Sequence, residues 1–255
     1  MEPSWPGRSR ARRRNPDELN ESDYNAIEST LGPPLRWRPL ITSSGVLMIA
    51  GLACIPFDAP LADAAQRAGK SLGGDLERTL KFIEQFGDGA STIIVALGVL
   101  LCAGAALRVR LVLWLSGAIT TAALVHVLKI AIGRPRPRFH DPHTFAWFFR
   151  TYPVQHHGEE VARYSWQTWI GSSSDLASMP SSHTSAAFAM AVGLCVVFPG
   201  GRWLWLSLAA IVALARVLHG AHYVSDVLVA GSVGLLGASI GIALSRRVLL
   251  KRMGR

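Results

Sequence analysis

The 255 residues are half hydrophobic and only 17% charged, with a formal net charge of +9. That balance is a membrane protein's, and it leaves no room for a disulfide framework, because the three cysteines, Cys54, Cys102 and Cys195, all lie within apolar runs. The excess positive charge is gathered at the two ends and in short connections, which argues against a nucleic-acid partner and for a surface facing anionic lipid.

In chain order, residues 1–39 form a polar tail rich in Arg (Arg8, Arg10, Arg12, Arg13, Arg14, Arg36, Arg38), expected to be flexible. It has no apolar core of a cleavable signal peptide, so the first helix is expected to insert the chain. Apolar runs follow at about 40–56, 90–107, 111–132, 183–199, 203–219 and 224–245, each bounded by charges, Gly or Pro and long enough for a crossing of ~20 residues. A second basic tail occupies 249–255. The expected fold class is therefore all-α: a polytopic bundle of six transmembrane helices over 40–248.

Two connections are long. In 57–89, Leu76, Leu80 and Ile83 recur at helical spacing, as in a short amphipathic helix that rests at the interface or packs on its neighbours. The second, 133–182, holds Phe139, Phe145, Trp147, Phe148, Phe149, Tyr152, Tyr164, Trp166 and Trp169, a composition suited to the headgroup layer over the third and fourth spans. Arg108, Arg110 and Arg202 sit in short connections that an even number of crossings puts on the side of both termini. By the positive-inside rule that side is the cytoplasm, so both long loops, with Asp58, Asp63, Glu84, Asp88, Glu159 and Glu160, fall outside. A location in the cell's inner membrane is expected.

Three stretches place ionisable side chains at the edges of these apolar runs, where each costs about 2.5–3.5 kcal/mol on insertion scales and so implies a site. In KIAIGRPRP (129–137), Gly133, Pro135 and Pro137 stop the helix and release Arg134, Arg136 and Arg138 into an extended segment. Lys129 and the Arg forks suit a phosphate, although interface anchors with snorkelling head groups carry the same residues. In PSSH (180–183), Pro180 fits a first helical turn, Ser181 or Ser182 can cap it, and free N–H groups there favour an anion beside His183. In RVLHGAHYVSD (216–226), His222 and Asp226 are four apart, so the carboxylate can orient the ring, and a turn at Gly220 can bring Arg216 to the same centre. His126 and His219 receive no role, and His140, His143, His156 and His157 lack metal-ligand spacing.

These three motifs, in this order, resemble the type 2 phosphatidic acid phosphatase (PAP2) family, which includes bacterial membrane phosphatases and, more distantly, vanadium haloperoxidases. The family pattern of Lys, six residues, Arg-Pro is met by Lys129, Arg136 and Pro137. Pro-Ser-Gly-His is met by Pro180, Ser181 and His183, and Ser-Arg, five residues, His, three residues, Asp by Arg216, His222 and Asp226. The likeness covers about residues 80–245. Ser182 stands where the family has Gly, and Ala215 where it has Ser.

The resemblance implies a membrane lipid phosphatase without metal or other cofactor. His222, oriented by Asp226, attacks phosphorus; His183 protonates the leaving oxygen; and Lys129, Arg136, Arg216, Ser181 and Ser182 hold the phosphate. With the topology above, the substrate is a lipid phosphate or pyrophosphate at the extracytoplasmic face, of the undecaprenyl pyrophosphate, phosphatidic acid, phosphatidylglycerol phosphate or lipid A type. A lipid phosphotransferase using the same phosphohistidine and a non-catalytic lipid-binding or transport protein are the alternatives. The sequence leaves the oligomeric state open.

Overall fold

The computed structural model describes residue 26 and residues 29–253, and these are mostly helical. α1 (Trp37–Cys54) passes through a tight turn into α2 (Asp58–Lys70), and α3 (Gly74–Glu84) is followed by α4 (Gly89–Cys102). α5 (Ala105–Ile132) leads to an antiparallel hairpin, β1 (Thr151–His156) and β2 (Glu159–Tyr164), and then come α6 (Ser182–Val197), α7 (Arg202–Leu218) and α8 (Val224–Met253). Each apolar run predicted to cross a membrane is mostly helical, but the one at 90–107 breaks at Ala103–Gly104, its last residues opening α5. Trp37–Lys70, Ala105–Phe139, Pro199–Leu218 and Val224–Arg252 are long and apolar enough to cross one. The α3–α4 pair passes the same test only as a unit bent by 65°, and α6, of 16 residues, is short for a crossing.

Local chemistry sets the breaks. Asp88 caps α4 by accepting the N–H of Ala90 at 2.7 Å. Gly133 ends α5 in the left-handed conformation that a helix C-terminus requires and a side chain resists.

α6 is the axis of the molecule. Every residue from Ala189 to Leu194 is buried, so all its faces are covered, chiefly by α5, α7 and α8. Small residues let the helices approach closely. A Cβ on Gly117 of α5 would lie 2.9 Å from the Ala238 carbonyl oxygen of α8, and Ser116 donates to the Gly241 carbonyl at 3.1 Å. The fully buried Trp114 ring fills the space opposite Gly193. The outward faces remain apolar: Ile41 and Ile49 on α1, Ile93 and Leu101 on α4, Ile119 on α5 and Trp203 on α7 are all exposed.

The chain departs from expectation in three places. The 57–89 connection is two helices, α2 and α3; on α3, Leu80 is buried and Leu76 exposed, and the helix packs on α7. The aromatic loop contains the hairpin, an element outside the all-α expectation. His157 and Gly158 both have positive φ, as the two-residue turns that match strand twist demand. The end of the expected tail is anchored: Leu31 is fully buried, Arg110 donates to the carbonyls of Ser29 and Thr30, and Arg246 to those of Leu31 and Gly32. The Arg-rich part of that tail lies outside the described residues.

Candidate active site

The predicted residues gather at one end of the bundle, opposite the end where Arg110 and Arg246 meet. α5 contributes Lys129 from its last turn, and the extended segment beyond Gly133 contributes Arg136. The carbonyl of Arg216, near the end of α7, accepts the N–H groups of Ala221 (3.1 Å) and His222 (3.3 Å) around the left-handed Gly220, so the expected turn brings Arg216 and His222 together. Lys129 and Arg136 lie within electrostatic range of His222, and Arg136 and Arg216 within range of His183. One centre therefore holds all six charged or ionisable residues singled out from the sequence.

His222 is 2% exposed and precedes α8, whose first turn carries Asp226. Its Nδ1 lies 3.6 Å from Asp226 Oδ2, a slight rotation short of a hydrogen bond, and has no other partner among the described residues. Burial pushes the His222 ring down to about 4, against the pull of the Asp226 carboxylate, so the imidazole is neutral near pH 7. A neutral imidazole with its electron pair free can act as a nucleophile.

The Asp226 carboxylate is held on all sides. Oδ1 accepts from Arg134 at 2.7 Å, and Oδ2 accepts from the Ser178 hydroxyl at 2.5 Å and from the backbone N–H of Tyr223 at 3.0 Å. The Tyr223 bond is half of a capping box, in which an acid in the first turn reaches back to the residue before the helix.

α6 begins at Ser182, with the buried Ser181 in the N-cap position. Neither serine caps the helix through its side chain; instead the Ser181 hydroxyl accepts from Thr184 at 3.2 Å. Pro180 sits just before the cap rather than in the first turn. The N–H groups of the first turn are thus left uncapped by any side chain, beside a partly exposed His183. Ser182 has ordinary negative φ, so Ser in place of Gly costs no backbone strain here.

The family model of the PAP2 superfamily matches residues 110–249, more than half of the chain and all three motifs. The chain belongs to the PAP2 superfamily. It is 28% identical over 214 residues to the lipid A 1-phosphatase of Rhizobium etli, with 77% of this chain and 79% of that protein covered. It is also 28% identical over 215 residues to the lipid A 1-phosphatase of Rhizobium johnstonii, covering 77% and 75%. The crystal structure of a transmembrane PAP2-type phosphatidylglycerolphosphate phosphatase from Bacillus subtilis superposes with a TM-score of 0.52 at 21% identity, over 82% of this chain and 96% of that one. That likeness is one of fold. With its apolar helices, this PAP2 chain is an integral membrane protein.

The site of this PAP2 protein has further members that the three motifs do not contain. Glu84, at the end of α3, lies 3.3 Å from Arg216 and 2.9 Å from His219 Nδ1. Asp88 Oδ2 lies 3.8 Å from His183 Nε2, while its other oxygen caps α4. The loop before α6 supplies carbonyls: Ala177 accepts from Lys129 Nζ, and Ser174 accepts from Arg136 Nε at 3.0 Å. Asp175 takes Arg138 on one oxygen and lies 3.7 Å from the buried Arg163 of β2 on the other, which ties the hairpin to the extended segment. Asp58 and Arg134 are fully buried beneath Asp226. The signal for Asp58 was present in the sequence, a charge immediately after an apolar run, though no local motif surrounds it.

No group of three or more His, Cys, Asp or Glu suited to a metal ion occurs among the described residues. Ala215 is fully buried on α7, its carbonyl accepting the N–H of His219 at 2.9 Å.

Proposed function

We propose that this protein is a membrane lipid phosphatase that removes a phosphate from a lipid of the lipid A type at the extracytoplasmic face, through a phosphohistidine. The observation that carries the reading is the convergence of Lys129, Arg136, Arg216 and the uncapped start of α6 on the His222–Asp226 pair, with His183 alongside. The two curated relatives named above favour the lipid A class over the other lipid phosphates.

In this mechanism the Nε2 of His222 attacks phosphorus as the bond to the lipid oxygen breaks, and His183 gives that oxygen its proton. Water then attacks phosphorus, its proton passes to His183, the N–P bond breaks, and inorganic phosphate leaves. Lys129, Arg136, Arg216 and the N–H groups of the first turn of α6, from Ser182 on, compensate the charge on the non-bridging oxygens, which is what a metal ion supplies elsewhere, while the Ser181 N–H is already donated to the Asp226 carbonyl at 3.3 Å. The reaction is accordingly metal-independent, and phosphate release should persist in excess chelator.

The charged ends of the bundle support the sidedness. The site lies at one end, while Arg108, Arg110, Arg202 and Arg246 lie toward the other, the end that the positive-inside rule assigns to the cytoplasm in a six-crossing inner-membrane topology. In that topology α3 and α4 form a broken second crossing, and α6 is a short one shielded by its neighbours.

The deciding experiment measures phosphate release by the purified full chain in detergent from lipid A, phosphatidic acid, phosphatidylglycerol phosphate and undecaprenyl pyrophosphate, with His222→Ala and His183→Ala in parallel. The reading predicts the highest kcat/KM on lipid A and no turnover by His222→Ala. Turnover of none of the four lipids, or an undiminished rate in His222→Ala, refutes it. A reporter fused to the C-terminus should be active only in the cytoplasm.

A further inference from the structure

Beneath the His222–Asp226 pair lies a second charged cluster drawn from three distant parts of the chain. Arg134, from the segment after α5, is fully buried and every one of its donor nitrogens is engaged. Nη1 donates to Asp226 Oδ1 at 2.7 Å and to the Ser225 hydroxyl at 2.6 Å; Nη2 donates to Asp58 Oδ2 at 2.7 Å; and Nε and Nη2 donate to the Pro142 carbonyl at 3.1 and 2.5 Å. The plane of the guanidinium is covered by Tyr223, 4.4 Å from its ring centre, and Phe145, at 5.2 Å. Asp58, the first residue of α2, accepts the backbone N–H of Ser225 at 3.1 Å and the Ser225 hydroxyl, so it caps α8 from outside the helix.

The charges in this cluster do not cancel. Two carboxylates, Asp58 and Asp226, flank one guanidinium, all three without exposure to solvent. An arginine facing Asp226 alone could take both of its oxygens in a fork and withdraw that carboxylate from His222. Asp58 occupies the other arm of Arg134, so Arg134 touches Asp226 through Oδ1 only. Oδ2 is left facing His222 Nδ1.

We propose that Asp58 and Arg134 are positioning residues: with Ser225 they fix the Asp226 carboxylate and keep its negative charge directed at His222. The surplus negative charge of the cluster is balanced when the imidazole becomes cationic, which happens as His222 bonds to phosphorus and not when substrate merely binds. The cluster therefore acts on kcat and leaves KM alone. This inference rests on His222 being the nucleophile.

The test compares the full chain with Asp58→Asn, Ser225→Ala and His222→Ala in detergent, using dioctanoyl phosphatidate and lipid A as probes, with kcat and KM measured separately and folding followed by circular dichroism. Asp58→Asn removes the surplus negative charge and leaves Arg134 facing Asp226 as its one carboxylate, free to draw that group from His222; it is expected to lower kcat by about 10- to 100-fold, as when a charge-assisted hydrogen bond is lost, with KM unchanged within about threefold. Ser225→Ala removes one hydroxyl with little change of volume; it is expected to give a smaller loss of the same kind, and it decides the matter if Asp58→Asn does not fold. The proposal is overturned if both variants keep kcat within about twofold of the parent, or if their losses appear in KM. An inactive His222→Ala beside fully active Asp58→Asn and Ser225→Ala rejects the positioning role alone, whereas an active His222→Ala rejects the phosphohistidine and the positioning role with it.

Discussion

Replacing Asp226 by Asn tests whether this carboxylate stabilises charge on His222 or merely shapes the end of α8. At the observed 3.6 Å separation, unit charges of opposite sign interact by about 4.6 kcal/mol in an effective dielectric near 20. The imidazole bears roughly half a charge in the transition state, so about 2.3 kcal/mol is at stake, or a fall in kcat of about 50-fold. A fully developed imidazolium sets the upper bound at roughly 2,000-fold. KM should hold within about threefold, because Asp226 faces His222 and Arg134 and not the anion. The variant also costs stability: an amide cannot accept from Arg134, Ser178 and Tyr223 together, and each donor left unpaired costs about 1–3 kcal/mol. Steady-state phosphate release on fully folded material, checked by circular dichroism at the assay temperature, separates the two effects. A folded Asp226→Asn protein with kcat within about threefold of the parent would falsify the electrostatic role.

Other outcomes follow from the same geometry. Ser182→Gly should leave kcat/KM within about threefold, since Ser182 already has the negative φ of a first helical residue; a large gain would mean that the hydroxyl obstructs the anion. In single-turnover experiments, formation of the phosphoenzyme should be lost only as pH falls through about 4, because protonation takes up the electron pair of His222; an acid limb at the ordinary histidine value of ~6.5 counts against a buried neutral nucleophile. Lys129→Gln and Arg136→Gln should raise the inhibition constant of inorganic phosphate by about 10-fold or more, and Arg216→Gln by less, since Glu84 already offsets part of its charge; the reverse ranking refutes that partition. Gly87→Ala should reduce activity and lower Tm together, because its Cβ would sit 2.3 Å from the His183 carbonyl oxygen and push the α3–α4 turn off α6, at a cost of about 1–3 kcal/mol.

What the sequence made legible was local. The three motifs carry their own turn chemistry: Gly133 ends α5, Gly220 folds Arg216 onto His222, and Asp226 lies four positions after His222. Apolar length likewise located the helices. The partners of these residues were not legible, because Asp58, Glu84 and Asp88 reach them across 76 to 167 positions of chain, and their spacing along it has no period. The hairpin was hidden for another reason. Its aromatic residues match a headgroup layer as well as a strand, while the signal that identifies it, a two-residue His157–Gly158 turn between six-residue segments, is small beside them. The anchoring of Ser29–Gly32 depends on Arg110 and Arg246, which are remote in the chain and were read only as topological charges.

The way each cation is held explains how so much positive charge is tolerated at one end of an apolar bundle and, in the proposed mechanism, stays available to an anion. Arg134 is met by Asp58 and Asp226, Arg138 by Asp175 with Arg163 nearby, and Arg216 by Glu84. These pairs offset the desolvation that an isolated charge would suffer. Lys129 and Arg136 are treated differently: among the described residues each donates to a carbonyl oxygen, Ala177 and Ser174 respectively, and neither has a carboxylate within ion-pair distance. A carbonyl dipole orients a cation without cancelling its charge. The uncancelled positive charge is therefore concentrated on the two residues that flank the helix-breaking Gly133, and the loop that supplies both carbonyls, 174–177, runs directly into the start of α6. The same loop carries Ser178, whose hydroxyl donates to Asp226, so one short segment contacts both of these cations and the carboxylate beside His222.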